Sequence, residues 1–327
     1  MLWTTALIVP CARRSARRWY TPLGAGVGVD VAELAERARL AVLDPQRNSV
    51  KELVEAGTPA LGLFNDIPAR HFRESDARAW ALAGFSWVCN DAEHGGPELV
   101  YGREENALLV RFGITPIQRL PREARSLHGD SLVFGARGTM RPYGTSLEDA
   151  TDYLACVDFP AKGSEGPRGL ARGAFPVRRG DGSLTFTEDS LRDAERGKTL
   201  PLCQFETEEY LLDVGRRDAV LDALAAAGGG AFVGAFDATM RAKDPSLLPG
   251  AIGALCREAA ARGVVTGGVV GGATPADAEE NIRHHLELGM RLIATPVLAS
   301  DFALHGATQV AAPFHAAVAA LGRVQGD

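Results

Sequence analysis

Two carboxylates in this chain stand 31 residues apart, each at the end of a short apolar run. Glu206 follows Pro201-Leu202-Cys203-Gln204-Phe205, and Asp237 follows Ala231-Phe232-Val233-Gly234-Ala235-Phe236. An apolar stretch that stops abruptly at an acid reads as a buried strand, and the separation is that of one strand-helix unit. At the same end of neighbouring parallel strands the two acids would form a hard, oxygen-rich half-shell for a divalent cation. With only two protein ligands, water and substrate would complete the shell. That suits magnesium or manganese, with cobalt or zinc as further candidates. The plainer alternative is a pair of solvated acids that merely follow strands.

Other polar residues end apolar runs in the same way. Asp91, Glu93 and His94 follow Phe85–Asn90, and Arg119 follows Thr115–Gln118. An unpartnered buried polar group is costly, so side chains at such positions are expected to converge. A fixed guanidinium at Arg119 would neutralise developing enolate or carboxylate charge; the alternative is a structural ion pair with one of the acids. Asp91, three residues before His94, can set the imidazole tautomer and raise its basicity, which suits proton transfer. A purely structural histidine is the alternative there. Glu93 is expected to support a metal-bound water from behind. None of these strand ends carries a lysine, so Schiff-base chemistry is not indicated.

The elements that must position these residues alternate along the chain. Strands are expected at 59–64, 85–90, 115–120 and 138–143, in the runs closed by Glu206 and Asp237, and at 264–270 and 292–297. Helices are expected at Val31–Leu43, Ser75–Ala83, Arg125–Gly135, Ser146–Cys156 and Asp301–Val324. Thr274-Pro275-Ala276-Asp277 marks a further helix start, with a capping hydroxyl, proline in the first turn and an acid behind it. Eight such alternations are the arithmetic of an α/β fold of the (β/α)8 TIM-barrel type, whose active site forms at the C-terminal strand ends. A doubly wound open sheet shares the alternation, but no GxGxxG opens the first unit. Residues 1–48 then form an extension and 49–327 the barrel domain, with the glycine-rich stretch 159–199 as a long loop over the mouth. Gly267–Gly272 reads as close strand-helix packing, with an anion site at the following helix as the alternative. His284 and His285 fall mid-helix and are expected at the surface.

At 46% apolar residues the chain can bury a large core, and its net charge of −6 offers no case for nucleic acid or an anionic membrane. No stretch reaches the ~20 apolar residues of a membrane span, so a soluble protein is expected. Residues 1–29 hold Arg13, Arg14, Arg17 and Arg18 and no acid. That is the composition of a mitochondrial or plastid transit peptide, or of a disordered tail on a cytoplasmic protein. Cys11, Cys89, Cys156, Cys203 and Cys256 form no CxxC pair, which fits free thiols in a reducing compartment.

Taken in order, LGLF at 61–64, GFSWVCNDAEHG at 84–95, PIQRLP at 116–121, GPRG at 166–169, QFETEE at 204–209 and FVGAFD at 232–237 resemble the HpcH/HpaI aldolase family of the aldolase/citrate lyase superfamily. The resemblance runs from about Ser49 to about His305. It implies a (β/α)8 barrel and a metal-dependent, pyruvate-type aldolase. On the matching positions, Glu206 and Asp237 would bind the metal, Arg119 would stabilise the enolate, and His94 with Asp91 would move protons. Gln204 and the backbone around Gly234, Ala235 and Phe236 would receive the substrate. The resemblance also implies a homo-oligomer, a hexamer or trimer in which the segment from Asp301 docks on a neighbour. Ala92, Ala235, Ala238, Arg141 and Leu298 depart from the family pattern.

These observations together imply a class II aldolase. It would cleave a 2-oxo-4-hydroxy acid to pyruvate or a related 2-oxo acid and an aldehyde through an enolate. An acyl-CoA lyase of the citrate lyase beta type is the enzyme alternative, although NDAEH differs from the LDLED-like strand usual in that branch. A catalytically weak oligomeric scaffold is the alternative of another class.

Overall fold

Side chains at every second position of the expected strands share one interior, and that period closes a barrel in the computed structural model. The structure describes residues 31–43, 48–68, 71–95, 102–143, 146–158, 177–178, 184–185, 197–299, 302 and 306–324. The barrel strands are β1 (Ala60–Asn65), β2 (Trp87–Asp91), β3 (Thr115–Arg119), β4 (Gly138–Arg141), β5 (Leu200–Phe205), β6 (Gly230–Val233), β7 (Val265–Val269) and β8 (Leu292–Ala294). Each pairs in parallel with the next, and Ala60 of β1 opposite Leu292 of β8 closes the ring. All eight expected strands are present. The arrangement is a (β/α)8 TIM barrel.

One set of alternate residues fills the interior: Phe64, Trp87, Cys89, Ile117, Met140, Leu202, Phe232 and Leu292 are buried together. Their neighbours in sequence, such as Leu63, Val88, Cys203, Val233 and Ile293, face outward into the shell packed with helices. Trp87 and Phe232 meet edge to face at 6.1 Å near the axis, a favoured aromatic geometry.

The helices are α1 (Val31–Leu43), α2 (Ser49–Glu55), α3 (Glu74–Leu82), α4 (Arg103–Arg111), α5 (Arg125–Val133) and α6 (Leu147–Val157), then α7 (Glu208–Leu212), α8 (Val214–Ala227), α9 (Ala235–Arg241), α10 (Leu248–Ala261), α11 (Pro275–Glu287) and α12 (Ala307–Val324). α2 seals the N-terminal end of the barrel. Its Val50 and Val54 join the interior cluster. Lys51 Nζ donates to the carbonyls of Thr199 (3.3 Å) and Gly228 (2.8 Å), and Asn48 Nδ2 to those of Arg137 (2.8 Å) and Lys198 (2.9 Å). Arg37 of α1 donates to Ser86 Oγ at 3.2 Å, which ties that helix to the segment entering β2.

Thr274 caps α11 as expected, and its bonds with Asp277 are reciprocal. A Cβ at Gly272 would lie 2.3 Å from the Ala278 amide nitrogen, so close packing explains that glycine. His284 and His285 are half-buried rather than at the surface, and His285 Nδ1 lies 2.7 Å from the Asn281 carbonyl. The last long helix starts at Ala307, not Asp301. Cys89, Cys156, Cys203 and Cys256 are buried free thiols. The basic start at 1–29, the GPRG motif and most of 159–199 lie outside the described residues; within that stretch Val177–Arg178 pairs antiparallel with Leu184–Thr185. Among the described residues no helix is long and apolar enough to cross a membrane.

One buried charge makes a testable weakness. Glu105, in the first turn of α4, is 4% exposed and neither carboxyl oxygen has a hydrogen-bond partner. Burial pushes its pKa up to about 7, above the ordinary 4.5. The folded protein therefore holds a proton that the unfolded chain releases, and stability falls as pH rises through that interval. Glu105→Gln is expected to gain about 2 kcal/mol on the wild type between pH 4.5 and pH 8. Paired thermal melts at the two pH values would read this as a difference of a few degrees; parallel pH curves would refute it.

Candidate active site

The inward rows that build the core continue into the chemistry. On β2 the row runs Trp87, Cys89, Asp91; on β3 it runs Thr115, Ile117, Arg119; beyond β5 it runs Leu202, Gln204, Glu206. The same period that buries apolar side chains lower in the barrel thus delivers an acid, a guanidinium and a second acid to its C-terminal mouth.

Arg119 and Asp91 face each other across the ladder. Arg119 Nε donates to Asp91 Oδ1 at 2.8 Å and Nη2 to Oδ2 at 2.5 Å. The guanidinium also lies 3.3 Å from Glu93 Oε2, and its carbon sits 4.7 Å above the Phe64 ring. Burial disfavours the Arg119 charge, but the bidentate bond and the attraction of Asp91 and Glu93 outweigh it and hold its pKa above the ordinary value. For Asp91, burial pushes toward the neutral acid, and the bonds and charge of Arg119 overcome that and lower its pKa. The ion pair expected as the alternative for Arg119 is formed, and it makes the residue a fixed cation at the mouth.

His94 Nδ1 lies 3.1 Å from Asp91 Oδ2 and 2.8 Å from Arg119 Nη2. The expected Asp91–His94 pair is formed. Arg119 can only donate, so one ring nitrogen cannot serve both neighbours: protonated, it bonds Asp91; unprotonated, it accepts from Arg119. The ring is 62% exposed, open to a substrate or to solvent. Burial raises the Glu93 pKa against the pull of Arg119 and His94, with Asp91 and Asp237 adding to the rise.

Glu206 follows β5 directly and is 2% exposed. Its Oε1 accepts from the Tyr143 amide at 2.5 Å. Burial pushes its pKa up to about 7; the Tyr143 amide opposes this, and Asp237 and Glu93 reinforce it. Asp237 departs from expectation. β6 stops at Val233, and Asp237 lies in the first turn of α9 rather than on a strand. Gly234 makes the switch: its N–H finishes the ladder on the Phe205 carbonyl (3.0 Å), and its own carbonyl accepts from Ala238 (3.0 Å) to start the helix. An acid in a first helical turn is favoured by the helix dipole. The Asp237 carboxylate still acts on Glu206 through its charge, from a helix rather than from the expected strand end.

The remaining expected positions divide. Gln204 is 3% exposed and its Oε1 has no partner, a buried acceptor ready for a ligand or water. The Gly234 amide is committed to the barrel, which removes it as a substrate donor. The amides of Ala235, Phe236 and Asp237 open α9, where intrahelical acceptors are missing. Asp91, Glu93 and His94 also bring ligand atoms within 4.8 Å of one another, a second group able to hold a metal ion. Two residues went unforeseen, Tyr143 and Arg241. Arg241 Nη2 lies 3.6 Å from Asp237 Oδ1 and donates to the Tyr143 hydroxyl at 3.1 Å.

Over 268 residues the chain is 28% identical to a hydroxypyruvate/pyruvate aldolase of Agrobacterium fabrum, a match covering 78% of this chain and 90% of the relative. A hydroxypyruvate/pyruvate aldolase of Deinococcus radiodurans is 26% identical over 257 residues, covering 78% and 86%. The crystal structure of an HpcH/HpaI aldolase from Desulfitobacterium hafniense matches with a TM-score of 0.57 at 21% identity, covering 75% of this chain and 89% of that one; it speaks for the fold. No family model matches the chain.

Proposed function

We propose that this chain is a member of the HpcH/HpaI aldolase family and a lyase that reversibly cleaves a 2-oxo-4-hydroxy acid into pyruvate, or a related 2-oxo acid, and an aldehyde. The observation that carries the reading is a guanidinium clamped by Asp91 beside a buried carboxylate whose oxygens are hard donors. The residues fit a divalent cation. Glu206 is buried with its charge only partly compensated, and a Cβ at Gly234 would lie 2.6 Å from Glu206 Oε2, so glycine keeps that oxygen clear. We place the cation at Glu206 and Asp237 rather than at Asp91, Glu93 and His94, because Arg119 already takes both oxygens of Asp91 and would repel a second cation there.

When bound, the cation supplies Lewis-acid polarisation of the 2-oxo carbonyl. The amides of Ala235, Phe236 and Asp237, with Gln204, would meet the substrate carboxylate. His94 takes the C4 hydroxyl proton as the C3–C4 bond breaks. The bonding pair passes into the enolate, whose oxygen lies against Arg119; the proton then returns to C3 to give the methyl group. Arg119 is already held in place, so stabilising that charge costs little reorganisation.

The test is deuterium exchange into the pyruvate methyl group, followed by NMR. It runs the enolisation step without any aldehyde. Exchange is expected with magnesium and is expected to stop in EDTA. Exchange that continues unchanged in EDTA would contradict the metal. The names of the curated relatives make hydroxypyruvate the second donor to assay.

A further inference from the structure

Among the described residues, Tyr143 is the only non-glycine residue with positive φ, at 48°. For a bulky side chain that conformation is uphill and persists only where the surroundings enforce it. Here it lies just past β4, at the mouth, and does two things that an extended continuation of the strand would not combine. Its amide points at Glu206 Oε1, 2.5 Å away. Its ring lies under Arg241, with the guanidinium carbon 4.7 Å from the ring centre and Nη2 bonded to the hydroxyl at 3.1 Å. Arg241 is one helical turn from Asp237 on α9, the spacing at which an arginine closes onto a carboxylate. It makes a long ion pair there, 3.6 Å from Oδ1 and beyond hydrogen-bond distance, and its side chain is 51% exposed.

We propose that Tyr143 is a positioning residue that keeps both acids available to a cation: its amide orients Glu206, and its ring and hydroxyl limit Arg241 to a long ion pair with Asp237 that a cation can displace. The inference rests on the metal reading given above. Ring stacking and the hydroxyl bond compete with Asp237 for the same guanidinium. Without the ring, Arg241 is expected to settle fully on Asp237, and a divalent cation must then displace it.

The test is Mn2+ binding by electron paramagnetic resonance on wild type, Tyr143→Gly, Arg241→Gln and the double variant, with thermal melts of the metal-free proteins. Glycine accepts positive φ and keeps the amide, so the fold and the Glu206 contact are preserved. Tyr143→Gly is expected to weaken Mn2+ binding about tenfold, in the range found for groups that orient ligands. Arg241→Gln in the same chain is expected to restore it, since the competing cation is gone. A purely structural tyrosine would lower the melting temperature and leave Mn2+ affinity alone. Unchanged affinity in Tyr143→Gly, or a loss that Arg241→Gln does not reverse, would overturn the proposal. Wild type that binds no Mn2+ would overturn the metal reading together with it.

Discussion

Arg119→Ala is expected to lower kcat about a thousandfold, the scale on which removing one preorganised donor to a developing oxyanion acts. KM for the 2-oxo acid should change much less, because the guanidinium matters most once charge has moved onto the enolate oxygen. Methyl-group exchange should fall in parallel, since it passes through the same charge. The substitution has a second cost. Asp91 would lose the two Arg119 hydrogen bonds and the charge that do most to hold its pKa down, while its burial remains, and it would take up a proton more readily. Arg119→Lys separates the effects. It keeps a positive charge but cannot span both Asp91 oxygens, so it should recover stability more than turnover. Steady-state kinetics with melting curves would decide. A near-normal kcat in a destabilised Arg119→Ala would make the residue structural.

Glu206→Gln is expected to abolish magnesium-dependent turnover, by at least about a hundredfold, and yet to stabilise the metal-free protein at pH 8. The signs differ because Glu206 is a buried acid with its pKa raised to about 7. A raised carboxyl pKa means that the folded state holds its proton longer than the unfolded chain. Stability contributed by the neutral acid is therefore present at low pH and lost as pH rises through about 7. Glutamine carries no charge to bury, so the metal-free variant should melt higher than wild type at pH 8 and show little difference at pH 4.5. Added magnesium should raise the melting temperature of wild type and leave the variant unmoved. In wild type at limiting magnesium, activity should climb as pH passes about 7, where Glu206 ionises; excess magnesium should shift that rise to lower pH, because the cation favours the carboxylate. Equal magnesium-induced shifts in both proteins would remove Glu206 from the ligand set.

The parts legible in the sequence are those that repeat. Short apolar runs gave the count of strands, and the polar residues that end them marked Asp91, Arg119 and Glu206. Several helices were less visible. α8 is rich in alanine and buries Arg217 beside Val220, Leu221 and Leu224, so its apolar face is blurred. α2 is too short for periodicity to declare itself. Asp237 was placed on a strand because Ala231–Phe236 is apolar throughout, and nothing in that run shows that the backbone turns at Gly234. Tyr143 was not singled out: it closes the run Gly138–Tyr143, which reads as strand, and a tyrosine does not announce a left-handed backbone by its type. Its partners Glu206 and Arg241 lie 63 and 98 residues further on, a pairing that sequence patterns do not encode.

The seal at the N-terminal end of the barrel has a consequence for how the chain folds. Asn48 and Lys51 reach carbonyls that follow them by 89 to 177 residues. During synthesis α2 emerges early, but its polar groups stay hydrated until the entries to β4, β5 and β6 exist. A chain cut after β4 would offer them only Arg137. The contact that closes the floor is thus among the most non-local in the molecule, and closure entropy must be met before it stabilises anything. A barrel assembled from autonomous halves would not need such a tie. This one is held at its floor by α2, the helix that precedes its first strand, so the halves should gain and lose structure together.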